Sequence, residues 1–148
     1  MPGRISENQH GGFFKLLQII ELTSIRTKTL TYESFEKKLL TSQRGSVDVK
    51  EKSVDLDKAR KQLNCNVGFD IVIKKDTGQV SFKMSILYLL EFRVEDVSLA
   101  EFLLEDKETY QMFSRNQLVK LAWSYMRSEL SHALASADLA FSPLPLLR

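Results

Sequence analysis

From Cys65 to Val94 the chain alternates apolar and polar residues with a period of two, and no other stretch constrains the fold as much. Cys65, Val67, Phe69, Ile71 and Ile73 fall on one face. Asn66, Gly68, Asp70 and Lys74 fall on the other, with Val72 as the single apolar residue among them. The tetrapeptide "KDTG" then supplies turn chemistry through Asp76 and Gly78, and the alternation resumes. Val80, Phe82, Met84, Ile86, Tyr88, Leu90, Phe92 and Val94 form an unbroken apolar row. A repeat of two is the repeat of a strand, so this is a long antiparallel hairpin with one wholly apolar face. Such a face must be covered.

The cover comes from the C-terminal part. Residues 98–113 read as a short helix or irregular bridge, and Ser114 opens "SRNQ", a capping-box signature. Behind it Leu118, Ala122, Met126, Leu130 and Leu134 recur at every fourth position, flanked by Val119, Trp123 and Ala133. This spacing predicts an amphipathic helix over residues 115–137, and Pro143 prevents its continuation. The opposite face of the second hairpin strand is less regular, because Leu87 and Leu89 stand where a solvated sheet face needs polar residues. A helix of the same chain, a partner subunit or a client must cover them.

The remaining elements are weaker in pattern. Residues 1–12 are polar, contain Gly11 and Gly12, and read as a mobile arm ahead of one domain spanning residues 13–148. Ile, Thr, Tyr and Phe dominate from Phe13 onward, which predicts a strand from Leu17 to Glu33, long enough to need a bend or bulge. The first residues of that stretch fit a short helix equally well. Residues 36–61 are dense in charge and read as a long connection with an edge strand around Val47–Val49. The expected fold class is α+β: a twisted antiparallel sheet of about four strands with a long C-terminal helix packed on one face.

Composition and charge narrow the function classes. A net charge of +2 is too weak a bias for nucleic acid. The single cysteine, Cys65, cannot form an internal disulfide, and no apolar run approaches the ~18 residues of a membrane span. The start lacks the apolar core of a signal peptide, so the expected address is the cytoplasm. His10 and His132 have no Cys or carboxylate at ligand spacing, which argues against a metal site. Cys65 belongs to an apolar strand face, Glu105 and Asp106 sit in a generic charged stretch, and no glycine-rich phosphate loop occurs. Nothing supports an enzyme, and no cofactor is implied.

The hairpin, the closing helix and the apolar proline tail together resemble the SecB-like chaperones. In "WSYMRSELSHALASADLAFSPLPLL" the residues Trp123, Tyr125, Arg127, Glu129, Leu130, Ala135, Ala137, Leu139, Leu144 and Pro145 follow the order of that family's last helix and tail. "IIELTSIRTKTLTYE" is similar to its first strand, which ends on an aromatic–Glu step, here Tyr32–Glu33. Ser124 stands where the family usually has Pro, Asp138 replaces a common Gly, and Ala140–Phe141 replaces a proline pair. Export-dedicated members are strongly acidic and dock the motor SecA through an acidic sheet surface. A chain at +2 lacks that character and reads as a divergent member.

The resemblance implies an ATP-independent holdase that binds unfolded or aggregation-prone polypeptide in apolar grooves. Its client is a dedicated one, such as the antitoxin of a toxin–antitoxin system, or preproteins for export. It also implies a homo-oligomer, a tetramer built as a dimer of dimers. Leu118, Ala122, Trp123, Met126 and Leu130 are the interface candidates, because the helix stripe exceeds what one small sheet can hide. The client-binding candidates are Phe13, Phe14, Phe35, Leu87 and Leu89 with the tail residues Phe141, Leu144, Leu146 and Leu147. Pro143 and Pro145 hold that tail extended, as a wall or lid to a groove facing Phe13, Phe14 or Phe35. The competing reading is a β-sheet protein whose apolar surfaces serve self-assembly or one specific partner.

Overall fold

The structure, a computed structural model, describes residues 2–35 and 43–136. Helix α1 (Pro2–Ile19) leads directly into strand β1 (Ile20–Ser34). Strands β2 (Gln43–Asp57), β3 (Gln62–Lys75) and β4 (Val80–Val94) follow, then helices α2 (Val97–Glu105) and α3 (Lys107–Met112). A π-helical turn, Phe113–Leu118, joins α3 to the long helix α4 (Val119–Ser136). The four strands form one antiparallel sheet in the order β1-β4-β3-β2.

The hairpin is where the alternation puts it. Cys65 pairs with Leu90, Val67 with Tyr88, Phe69 with Ile86 and Ile71 with Met84, and all eight are buried on one side of the sheet. Gly78 takes a positive φ of 89° in the connecting turn, a conformation that costs a residue with a Cβ but not glycine. The expected bend in the first strand is present as two register shifts in β1, between Leu22 and Ser24 and between Thr27 and Thr29.

Helices α2 and α4 and the turn between them fill the apolar side. Ala100, Leu103, Phe113, Leu118, Ala122, Met126, Leu130, Ala133 and Leu134 join the hairpin residues in one core, with Phe13 and Leu16 of α1. Ring contacts trace the path of α4 along the sheet. Phe113 meets Phe92 at 5.5 Å, Trp123 meets Phe69 at 6.0 Å and Tyr125 meets Tyr88 at 6.3 Å. The helix therefore runs from the α2 end of the sheet toward the β3–β4 turn.

Four expectations are corrected. Residues 2–12 are helical rather than an arm, and the strand begins at Ile20 instead of Leu17. Gly12 explains why a glycine pair sits in a helix, since a Cβ there would lie 2.4 Å from Thr109 Oγ1. The glycine lets α1 lie against α3. The edge strand around Val47–Val49 is fifteen residues long, because pairing with β3 along its length outweighs its charge. Ser114 is buried inside continuous helix and caps nothing. The capping carboxylates are Asp96, which accepts from Leu99 N, and Asp106, which accepts from Thr109 N and Oγ1.

Candidate client-binding surfaces

The helix side of the sheet is wider than the helices that cover it. On β1 the residues paired with the buried row of β4 from Met84 to Val94 are Ile20, Leu22, Ile25, Thr27, Leu30 and Tyr32. They extend the apolar face past α4, yet Leu22, Leu30 and Tyr32 are exposed and Ile25 is half-buried. Tyr32 stacks on Phe82 at 6.0 Å, which fixes its ring flat on this ledge. Exposed Tyr125 of α4 and the backbone from Leu22 to Ile25 enclose an open groove. Apolar surface left uncovered beside a finished core is surface available to another chain.

An apolar groove lies along the other sheet edge. Val54 and Leu56 of β2 face Leu104 and Tyr110 across a cavity of about 250 Å³, with Lys58, Glu101 and Glu105 at its rim. Nearby, Phe14 of α1 and Phe102 of α2 are 57% and 69% exposed on helices that pack together.

Among the described residues the predicted client-binding residues do not converge. Phe13 turns into the core, 7% exposed, while its neighbour Phe14 points outward. Phe35, 53% exposed, donates its N–H to Ser81 O at the far end of β1. A fifteen-residue strand at ~3.3 Å per residue sets Phe35 some 45 Å from the α1 junction, so Phe13 and Phe14 cannot share one groove with it. Leu87 and Leu89 lie on the outer face, opposite the helices, half-buried among Arg26, Thr29, Asn66 and Gly68. No described helix covers them. Phe141, Leu144, Leu146 and Leu147 lie outside the described residues.

Four of the five interface candidates are corrected. Leu118, Ala122, Met126 and Leu130 are buried in the chain's own core and offer no surface to a partner. Trp123 is half-buried against Phe69. The β1 ledge and the β2 groove escaped sequence reading because both belong to edge strands, whose apolar residues are interrupted by bulges and charge.

The outer face carries ion pairs of both signs, Arg26–Glu91, Arg93–Glu21 and Lys50–Asp70. No cluster of His, Cys, Asp and Glu among the described residues could hold a metal ion. No described helix is long and apolar enough to cross a membrane. Burial raises the Cys65 thiol well above its ordinary pKa, with the Asp55 charge adding to it. Burial raises the Tyr88 phenol too, helped by Glu129, and its hydroxyl has no hydrogen-bond partner among the described residues.

These two groups predict a pH dependence of stability. In the folded state both stay neutral, whereas in the unfolded chain the thiol ionises from about pH 8.5 and the phenol from about pH 10. Above those values the unfolded state holds fewer protons, so stability falls as pH rises, by ~1.4 kcal/mol per unit for each group. Urea titrations from pH 7 to 11 measure it. In Cys65→Ala the fall should begin only near the phenol range; an unchanged profile overturns the assignment.

No family model matches the sequence, and no curated protein matches it. Among solved structures the chain is similar to Mycobacterium tuberculosis Rv1957, described as a SecB-like chaperone in complex with a ChAD peptide from the Rv1956 HigA1 antitoxin. The TM-score is 0.75 at 14% identity, over 93% of this chain and 97% of that one. The chain has the SecB-like fold. At this identity the shared feature is the course of the backbone, and the SecB-like sheet and closing helix expected from the sequence are both in place.

Proposed function

We propose that this chain is an ATP-independent chaperone of SecB-like type, holding unfolded or aggregation-prone polypeptide in apolar grooves. The supporting observation is a SecB-like fold that leaves two apolar surfaces open after its own core is complete, the β1 ledge and the β2 groove. Binding by burial suits such a task. At ~25 cal/mol per Å² of apolar surface, several shallow contacts give a grip that stays reversible after ordering costs. The antitoxin peptide held by the similar Mycobacterium structure supports a dedicated client of that kind over a broad set of export substrates. The mixed charge of the outer face among the described residues argues against an acidic docking surface for SecA, and the proposed site of action is the cytoplasm without the export motor.

We further propose a homo-oligomer, a dimer of dimers, in which β1 is one contact. Its inward residues are arranged nearly symmetrically about Arg26, with Ile20, Leu22 and Ile25 on one side and Thr27, Leu30 and Tyr32 on the other. Antiparallel pairing with a second copy about that point sets Leu22 against Leu30 of the partner subunit. It also sets Ile20 against Tyr32 of the partner subunit.

The test is suppression of aggregation. The purified protein, without nucleotide, should keep denatured citrate synthase in solution on dilution, or form a stable complex with a product of a flanking gene. Failure of both at molar excess leaves only self-assembly for these surfaces and overturns the proposal.

A further inference from the structure

The end of the sheet at the β3–β4 turn carries a charge arrangement that the client surfaces do not use. Arg44 of β2 and Lys74 of β3 are direct partners across the two strands, and both are exposed. Partners of this kind lie ~4.5–5.5 Å apart at Cβ, so two cations placed there repel and cost the fold stability. Lys83 of β4 adds positive charge one rung away, since it pairs with Val72, which pairs in turn with Ser46. Glu33 of β1 is the other partner of Lys83. On the next rung stand Asp48 and Asp70. Asp70 is held by Lys50 at 3.3 Å and accepts from Ser85 Oγ at 2.8 Å.

The cations border a cavity. Arg44 and Ser46 of β2, Lys74 and Lys75 of β3 and Asp76 of the turn line a space of about 590 Å³, which two glycines complete. That volume falls within the ~300–1,000 Å³ of small-molecule sites. Three cations stand against one carboxylate, and among the described residues no aromatic or branched apolar side chain lines the space. A nucleobase or an acyl chain has no wall to lie on there, so recognition rests on charge and hydrogen bonds. Arginine offers a planar fork of donors to two oxygens of one phosphate, lysine a point charge and serine a hydroxyl. An anion seated between Arg44 and Lys74 turns their repulsion into two attractions. Single-stranded nucleic acid is a poor occupant, because it needs aromatic platforms for its bases. An acidic peptide spreads single charges along its length, whereas these cations converge on one cavity.

We propose that this cavity is an anion site for a short phosphate chain, of the di- or triphosphate class, read through its oxygens and not through any group attached to it. The inference is independent of the chaperone reading, because it uses neither the β1 ledge nor the β2 groove. Binding ties the start of β2 to the β3–β4 turn and stabilises the folded chain by mass action.

The experiment titrates the full chain calorimetrically with sodium tripolyphosphate, without magnesium and at about 150 mM salt. Binding is expected, with a melting temperature that rises with ligand concentration. ATP should bind within about tenfold of tripolyphosphate. Arg44→Ala and Lys74→Ala should each weaken binding about tenfold or more. Arg44→Ala should not lower the melting temperature of the free protein, since it removes one of two opposed cations. Lys120→Ala, which removes an exposed lysine of α4, should bind normally. Absence of binding overturns the site, and so does an equal loss in Lys120→Ala, which is general charge attraction. ATP binding more than about tenfold tighter than tripolyphosphate also overturns it, because a base is then being read. A hexaglutamate peptide that binds as tightly as tripolyphosphate does so too, and makes the cations a docking patch for acidic protein.

Discussion

Leu118→Ala is expected to lower the unfolding free energy by about 2–5 kcal/mol while leaving the assembly of the remaining folded protein unchanged. Against a total of ~5–15 kcal/mol for a domain, that is enough to bring the chain close to unfolding at room temperature. Leu118 has no exposed surface and sits where the π-helical turn gives way to α4, beside Phe113 and Val119. Truncation leaves a cavity that a helix anchored on both sides cannot close. Leu118 also carries the stripe that the sequence suggests as an interface, so the experiment discriminates. A buried core residue shifts the urea midpoint at every protein concentration. An interface residue would instead lower the sedimentation coefficient and leave the protomer's own stability intact, and that result overturns the placement in the core.

What the sequence makes legible follows physical rules that act locally. The β3–β4 hairpin is readable because a strand covered on one face must alternate, and fifteen alternating residues of β4 leave no helical alternative. Helix α4 is readable for the same reason with a period near four. β2 is not, because edge strands need neither face fully apolar and its charges look like those of a connection. Nor is α1, although Phe13, Leu16 and Leu17 have helical spacing, since Gly11 and Gly12 point to an arm. The reason for Gly12 lies ninety-odd residues away at Thr109, where only a tertiary contact explains it. The candidate site fared less well than the fold. Apolarity at Phe13, Leu118 and Met126 identifies residues that need burial but not what buries them, and here the chain buries them itself. The surfaces left open are the ones whose apolar residues are spaced irregularly by bulges, at Leu22, Ile25 and Leu30.

Those residues set the other large effect. Leu30→Lys combined with Leu22→Lys is expected to dissociate the proposed β1–β1 contact while the protomer keeps its melting temperature. Both leucines lie on the solvent-open ledge, so a charge costs the lone chain little. Pairing about Arg26 gathers five apolar side chains from each subunit, Ile20, Leu22, Ile25, Leu30 and Tyr32, each already partly covered. Ten such side chains, each gaining roughly half of the ~1.5–3 kcal/mol of full burial, amount to roughly 7–15 kcal/mol. Association itself costs ~4–15 kcal/mol, so the contact depends on the leucines as well as on main-chain pairing. Arg26, which meets its own copy at the centre, is paired with Glu91 at 3.4 Å, and this lessens the like-charge conflict. Lysines at 22 and 30 face each other across the two-fold, remove four leucines and bury charge, weakening the contact by more than about a hundredfold. Sedimentation velocity at micromolar concentration reads the result as a smaller particle. A particle of unchanged size, with the substitutions present and the fold intact, means that the subunits meet elsewhere and that the β1 ledge is free to hold client.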